Sequence, residues 1–239
     1  MNNLIDLYVV DAGNSRIKLG SCSKFNIINI QYFNDISSVL KKITRNIPIA
    51  VSSVLNSKFK NKIQTDKNPI FWINHQVKLP FKINYLNPEM LGVDRICNVA
   101  ALSKINNLSN CLSIDIGTCI KFDFLNAKNE YEGGSISPGL NLRFKALHAF
   151  TEKLPLISPS TYVNLVGNST KSSIQAGVQI GIQQEIIGLI SYYQEKYPDL
   201  KIYITGGDLN YFDLGQKKGI FADENLTLKG IIEIYKLNA

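Results

Sequence analysis

Two stretches of this chain share one rhythm. Four apolar residues, Leu7-Tyr8-Val9-Val10, lead into Asp11, a short turn Ala12-Gly13-Asn14-Ser15 follows, and Arg16-Ile17-Lys18-Leu19 then alternates polar with apolar. Apolar runs on either side of a Gly/Asn turn predict a β-hairpin. The rhythm returns where Cys111-Leu112-Ser113-Ile114 delivers Asp115, Ile116-Gly117-Thr118 makes the turn, and Cys119 to Phe124 leaves as a second strand. A third short run, Tyr203-Ile204, ends in Thr205-Gly206-Gly207-Asp208.

Between these landmarks the periodicity predicts a strand from Lys24 to Phe33, a short helix from Asp35 through Thr44 with Asp35 as its cap, and a strand from Pro48 to Val54. A helix from Lys58 to Thr65 and a strand at Ile70-Phe71-Trp72-Ile73 follow. Pro88 and Gly92 frame a loop, after which Asp94-Arg95 open a helix whose Ile96, Val99, Ala100 and Ala101 recur at helical spacing. A glycine-rich strand and turn, Glu132 to Gly139, leads into an amphipathic helix with Leu140, Phe144, Leu147 and Phe150 on one face, ending near Leu154-Pro155. Ser158 to Thr161 reads as a surface loop. Gly167-Asn168-Ser169-Thr170 caps the longest helix, Lys171 to Lys196, striped by Ile174, Val178, Ile182, Ile186 and Ile190. Gly177 and Gly181 on it leave room for another helix to approach. Leu226 to Leu237 is the last predicted helix. The repeated hairpin, each time followed by alternating helices and strands, predicts an α/β protein of two domains, residues 1–108 and 109–239.

Composition narrows the class. Of 239 residues 45% are apolar and 19% charged, enough for an ordinary buried core. The net charge of +7 raises the question of nucleic acid, but the lysines are scattered, and the densest group, Lys58-Phe59-Lys60-Asn61-Lys62, has the spacing of a solvated helix face. A binding footprint would be a clustered patch, so no nucleic-acid partner is expected. Cys22, Cys97, Cys111 and Cys119 form no C-x-x-C pair and read as reduced, buried thiols. His75 and His148 are far apart, which argues against zinc. No secretory signal is visible, and no apolar run reaches the ~18 to 20 residues of a membrane span, so a cytoplasmic protein is expected.

The hairpin turns suggest phosphate chemistry. Gly13 lets the backbone approach an anion, the N–H groups of Gly13, Asn14 and Ser15 can point at it, and Lys18 adds charge, while Asp11 could hold a divalent ion or its water. A polar-decorated hairpin with no ligand fits the same residues. Asp94-Arg95 likewise reads either as an acid and a guanidinium placed where the helix dipole welcomes an anionic substrate, or as a cap beside a surface arginine.

Two Asp-x-Gly hairpins followed by a Thr-Gly-Gly-Asp turn resemble the acetate and sugar kinase, Hsp70 and actin superfamily, in which two duplicated ribonuclease H-like domains close on ATP. Within it the chain resembles the type III pantothenate kinases. Their pattern D-x-G-N-S/T-x-x-K, Y-x-x-x-x-x-x-G-x-D-R, D-x-G-T, G-G-x-I-x-P-G, G-x-S/T-T and T-G-G-D is met by Asp11 to Lys18, Tyr85 with Gly92 to Arg95, Asp115 to Thr118, Gly133 to Gly139, Gly167 to Thr170 and Thr205 to Asp208. The resemblance implies ATP-dependent phosphorylation of pantothenate. Asp11, Ala12, Gly13, Asn14, Ser15, Arg16, Ile17 and Lys18 would hold the ATP phosphates, with Asp11 a candidate for magnesium and Thr118 also contacting ATP. Asp94 would be the general base. Tyr85, Gly92, Val93, Asp94, Arg95 and Thr170 would bind pantothenate, and Asp115 would hold a potassium or ammonium ion. Homodimers with shared sites are implied, Thr170 reaching the neighbouring subunit's substrate. One departure stands out: where the family usually has Thr after the second turn, this chain has Lys121. A non-catalytic ATP-binding homologue and a small sugar kinase are the competing readings.

Overall fold

A computed structural model describes residues 4–55, 57–63, 67–214 and 219–239. In chain order they form β1 (Leu7–Ala12), β2 (Ile17–Ser23), β3 (Asn26–Phe33), α1 (Ile36–Leu40), β4 (Ile49–Ser53), α2 (Ser57–Ile63), β5 (Ile70–Trp72), β6 (Lys82–Ile83) and α3 (Val93–Ile105). There follow β7 (Cys111–Ile116), β8 (Cys119–Leu125), β9 (Glu130–Pro138), α4 (Leu140–Ala149), α5 (Thr170–Gln175), a π-helical turn (Ala176–Ile180), α6 (Gly181–Lys196), β10 (Lys201–Thr205), β11 (Ile220–Ala222) and α7 (Leu226–Asn238). Thr65, the expected end of the second helix, lies outside the described residues. None of the described helices is long and apolar enough to cross a membrane.

The chain groups into two compact units, Met1–Asn107 with Asn129–Glu132 and Asn225–Ala239, and Leu108–Lys128 with Gly133–Glu224. In the first, the strand order is β3-β2-β1-β4-β5. β1 runs antiparallel to β2 and parallel to β4, so it is internal to the sheet and buried on both faces, which is why its sequence is a continuous apolar run. Tyr8, Val10 and Ala12 pack with Val39 of α1 and Ile63 of α2. On the other face α3 and α7 pack against each other and onto β4. Asp35 caps α1 as expected, its Oδ1 accepting from the Ser38 N–H at 2.9 Å. The helix stops at Leu40 rather than Thr44, because the Thr44 N–H donates instead to the Tyr8 hydroxyl at 3.2 Å.

In the second unit the neighbours run β9-β8-β7-β10-β11, the same relation repeated one strand set later. β7 is antiparallel to β8 and parallel to β10. Two mixed sheets that share this five-strand order, the second with β6 added beside β9, each carrying helices, are the duplicated ribonuclease H-like arrangement. Leu112, Ile114 and Ile116 pack against Ile182, Ile186 and Ile190, each full burial contributing ~1.5 to 3 kcal/mol. All five stripe residues are buried. A strict spacing of four drifts by about 40° per step around a helix of 3.6 residues per turn, and the wider π turn interrupts that drift.

Two expectations are corrected. Phe150 is 88% exposed, because α4 ends at Ala149 instead of running to Leu154-Pro155. Residues 225–239, expected with the second half, belong to the first unit, where α7 lies close against α3. Gly230 permits this, since a Cβ there would run into the Cys97 carbonyl, whereas one at Gly188 of α6 would meet open space. Gly230→Ala should therefore cost ~1 to 3 kcal/mol through overpacking. Gly188→Ala should be neutral or stabilising by up to ~1 kcal/mol. Thermal melts of the two variants check this contrast: equal melting temperatures would mean that the α3–α7 contact does not require a glycine.

Candidate active site

The first hairpin is closed by four residues. Ala12 pairs with Ile17, and the Gly13 N–H donates to the Arg16 carbonyl at 3.2 Å. Asn14, Ser15 and Arg16 are exposed at the tip, and Arg16 lies over the Tyr32 ring with its Cζ 4.9 Å from the centroid. The antiparallel register sets Lys18 directly opposite Asp11. Lys18 is nearly buried and Asp11 half-buried, so the strand end presents one carboxylate and one ammonium beneath an open turn.

At the start of α3, Gly92 is the N-cap and makes no side-chain cap bond. Asp94, in the first turn, is therefore not the cap that one reading of the sequence allowed. A Cβ at Gly92 would lie 2.5 Å from Asp94 Oδ1, so glycine is what lets this carboxylate fold back over the positive end of the helix. His75 Nε2 meets the Leu91 carbonyl at 2.7 Å and braces the preceding loop. Arg95 is only 4% exposed, its Cζ 6.0 Å from the centroid of the Tyr131 ring, and Tyr85 stacks on the same ring at 5.9 Å. Tyr131, fully buried on β9, thus touches two residues that are both far from it in sequence, and nothing in the sequence reading singled it out. Burial pushes the Cys97 thiol well above its ordinary range; the Ser52 hydroxyl pulls it back, while the Asp11 and Asp94 carboxylates add to the rise. Both acids therefore lie within electrostatic reach of one buried atom.

The second hairpin has a tighter turn, with Ile116 opposite Ile120 and the Gly117 N–H donating to the Cys119 carbonyl at 3.1 Å. Two other glycine motifs pack onto it. The Gly139 N–H donates to the Thr118 carbonyl at 3.0 Å and the Asp208 N–H to the Ile116 carbonyl at 3.0 Å. A Cβ at Gly139 or at Gly206, whose φ is +112°, would collide with backbone of this turn. Opposite Asp115 stands Lys121, its Nζ 2.7 Å from Asp115 Oδ2, with each side chain 15% exposed. A monovalent cation on the same carboxylate would lie about 4 Å from that ammonium, a repulsion of about 4 kcal/mol at an effective dielectric of ~20. The residues present do not fit a resident potassium or ammonium ion at Asp115. Among the described residues no group of three or more His, Cys, Asp or Glu forms a metal cage, so the candidate holder of magnesium is the single carboxylate of Asp11 below the first turn. Magnesium is ordinarily held by one or two carboxylates together with substrate phosphates.

Thr170 begins α5 behind a capping box, Ser169 accepting from the Ser172 N–H at 3.2 Å. It is exposed and lines a largely apolar cavity of about 730 Å³ with Leu147, Phe150, Ile174 and Val178. The mouth is braced by Arg143, paired with Glu185 of α6, which the sequence reading did not foresee. The loop before α5 is pinned by the buried Gln179, whose amide donates to the Ser160 carbonyl at 2.7 Å and accepts from the Ser160 N–H at 2.9 Å. Asp11, Tyr85 and Gly92 to Arg95 thus belong to the first unit, and Asp115, Thr118 and Thr170 to the second.

Both hairpins, the α3 start and the Thr-Gly-Gly-Asp turn occur in the order of one known family, and its profile, type III pantothenate kinase, matches residues 7–192. The chain belongs to the type III pantothenate kinases. It is 38% identical over 232 residues to such a kinase from Cytophaga hutchinsonii, covering 96% of this chain and 98% of the relative. A relative from Christiangramia forsetii is 38% identical over 239 residues, with 96% and 98% covered. Among solved structures, a Campylobacter jejuni protein assigned to the Baf family of transcriptional activators matches with a TM-score of 0.62 at 24% identity, covering 97% of this chain and 98% of its own. At that identity the likeness concerns the fold alone.

In this kinase the four cysteines are free and differ in accessibility. Burial, aided by the Asp6 carboxylate, pushes Cys22 up to about 12, and burial pushes Cys111 up to about 11 against the pull of Lys201. With Cys97 they stay protonated and covered near neutral pH, and thiolate is the reactive form. Cys119, beside Thr118, is partly exposed. A disulfide reagent should modify Cys119 first in the native protein and all four thiols after denaturation, and ATP should slow the native reaction. Equal native rates at two or more thiols would overturn this ranking.

Proposed function

We propose that this enzyme transfers the γ-phosphoryl group of ATP to the primary hydroxyl of pantothenate, the first step towards coenzyme A, with Asp94 as general base. The observation that carries the reading is the start of α3, where Gly92 clears the space into which the Asp94 carboxylate folds. The hydroxyl oxygen bonds to the γ-phosphorus as the bond from phosphorus to the bridging oxygen breaks; the proton passes to Asp94 and ADP leaves. Phosphoryl transfer of this kind needs positioning and charge neutralisation more than covalent help. Asp11 to Lys18 hold the phosphates through the turn amides and Lys18, and Thr118 makes a further contact with ATP. Asp11 would hold magnesium, which would offset phosphate charge when bound together with ATP. Tyr85, Gly92, Val93 and Arg95 receive pantothenate, with the Tyr131 stack fixing the first and last of them. The reaction belongs in the cytoplasm.

Thr170 belongs to the same reading through a homodimer. Gly177 and Gly181 meet open space on their outer side and Phe150 stands exposed by the cavity, a surface suited to a second copy. An isologous interface there would bring Thr170 to the partner's substrate and produce two equivalent sites.

ADP release with pantothenate, compared with a panel of sugars, tests the reaction. Asp94→Asn should fold and bind ATP like the parent and lose at least ~100-fold in kcat. Turnover within a few-fold of the parent would remove Asp94 as the base. Sedimentation tests the dimer: Gly181→Leu should weaken assembly and impair pantothenate binding more than ATP binding, and a fully active monomeric parent would exclude the shared site.

A further inference from the structure

The pair Lys121–Asp115 does more than neutralise a carboxylate. The β7–β8 ladder sets Lys121 directly across from Asp115, as the β1–β2 ladder sets Lys18 across from Asp11. The second half of the chain thereby repeats the Asp-opposite-Lys arrangement of the first. The next cross-strand pair on the same face is Ser113 with Asp123, both 0% exposed, and Thr205 on β10 lies beside Asp115 at 1% exposure. The hydroxyls of Ser113 and Thr205 make no hydrogen bond among the described residues. Two carboxylates and two hydroxyls on one face of three adjacent strands form an oxygen-rich, largely dry environment, the setting in which a cation is required because uncompensated buried carboxylates are costly. The cation within reach of Asp115 is the ammonium of Lys121, 2.7 Å away. A lysine ammonium is a compact point charge with three donors, the same charge and donor chemistry as a free ammonium ion.

We propose that Lys121 is the monovalent cation of this site, tethered to β8, so that the enzyme works without added potassium or ammonium. The inference rests on the kinase reading above, which gives Asp115 its place beside the second turn. Lys121 acts as a positioning residue: it holds the Asp115 carboxylate at the foot of the turn that carries Thr118, and no step of the reaction passes through it.

The test compares the parent with Lys121→Thr in chloride salts of potassium, sodium and tetramethylammonium at equal ionic strength. The parent should release ADP with pantothenate at rates that agree within about twofold across the three salts, whereas Lys121→Thr should slow by roughly tenfold or more in tetramethylammonium and recover in potassium or ammonium. Melting of the ligand-free proteins gives a readout independent of turnover. Potassium should leave the parent unmoved relative to tetramethylammonium but raise Lys121→Thr by about 5 °C, the size expected when a cation binds only the folded form. A parent that is roughly tenfold faster in potassium than in tetramethylammonium would overturn the proposal, since loss of a required cation lowers the rate directly. So would a potassium-specific rise in the melting temperature of the ligand-free parent. If Lys121→Thr fails to fold, the parent's two responses decide the matter alone. A parent that phosphorylates no pantothenate in any salt counts against the proposed function, while its melting response continues to test the tethered cation.

Discussion

Antiparallel pairing at the end of an apolar strand is the constraint on which both halves of this protein depend. With a side-chain period of two, the register of a hairpin decides which residues face the ligand side and which enter the core, and a slip of one residue would exchange them. In β1–β2 that register brings Asp11 opposite Lys18, and in β7–β8 it brings Asp115 opposite Lys121. The alternate positions, Val10 and Leu19 in one unit and Ile114 and Phe122 in the other, go to the cores. The charged pairs are therefore held in place by hydrophobic burial on the opposite face of the same strands.

Around this constraint the glycines divide by role. Gly92 clears space for a carboxylate, Gly139 and Gly206 let two turns lie on the second hairpin, and Gly230 lets one helix lie on another. Gly177, Gly181 and Gly188 have nothing near them. Their surroundings, more than their place in the sequence, separate close approach from an open surface.

Much of the fold was legible because its signals are local. Hairpins, the Asp35 cap, the isoleucine stripe and the polar start of α3 all arise from residues within a few positions of one another. What escaped is non-local. Tyr131 joins Tyr85 to Arg95 across sequence gaps that no periodicity spans, and Glu185 meets Arg143 from a different helix. The end of α1 was misplaced because the hydroxyl of Tyr8, on another element, takes the Thr44 N–H. Lys121 was visible as a departure, but its partner followed only from the register of the ladder.

The membership of α7 in the first unit also bears on how the chain is made. Residues 226–238 follow the whole of the second unit in chain order, and until they emerge from the ribosome α3 lacks the helix that covers it. Fully buried residues such as Ile96, Val99 and Leu102 on α3 and Leu228, Ile231 and Ile234 on α7 meet late. The second unit, whose segments are all present by residue 224, can complete its core first. Vectorial synthesis usually favours the N-terminal domain; here the first unit must wait for a helix that is made after the second, and its sheet stays partly covered until then.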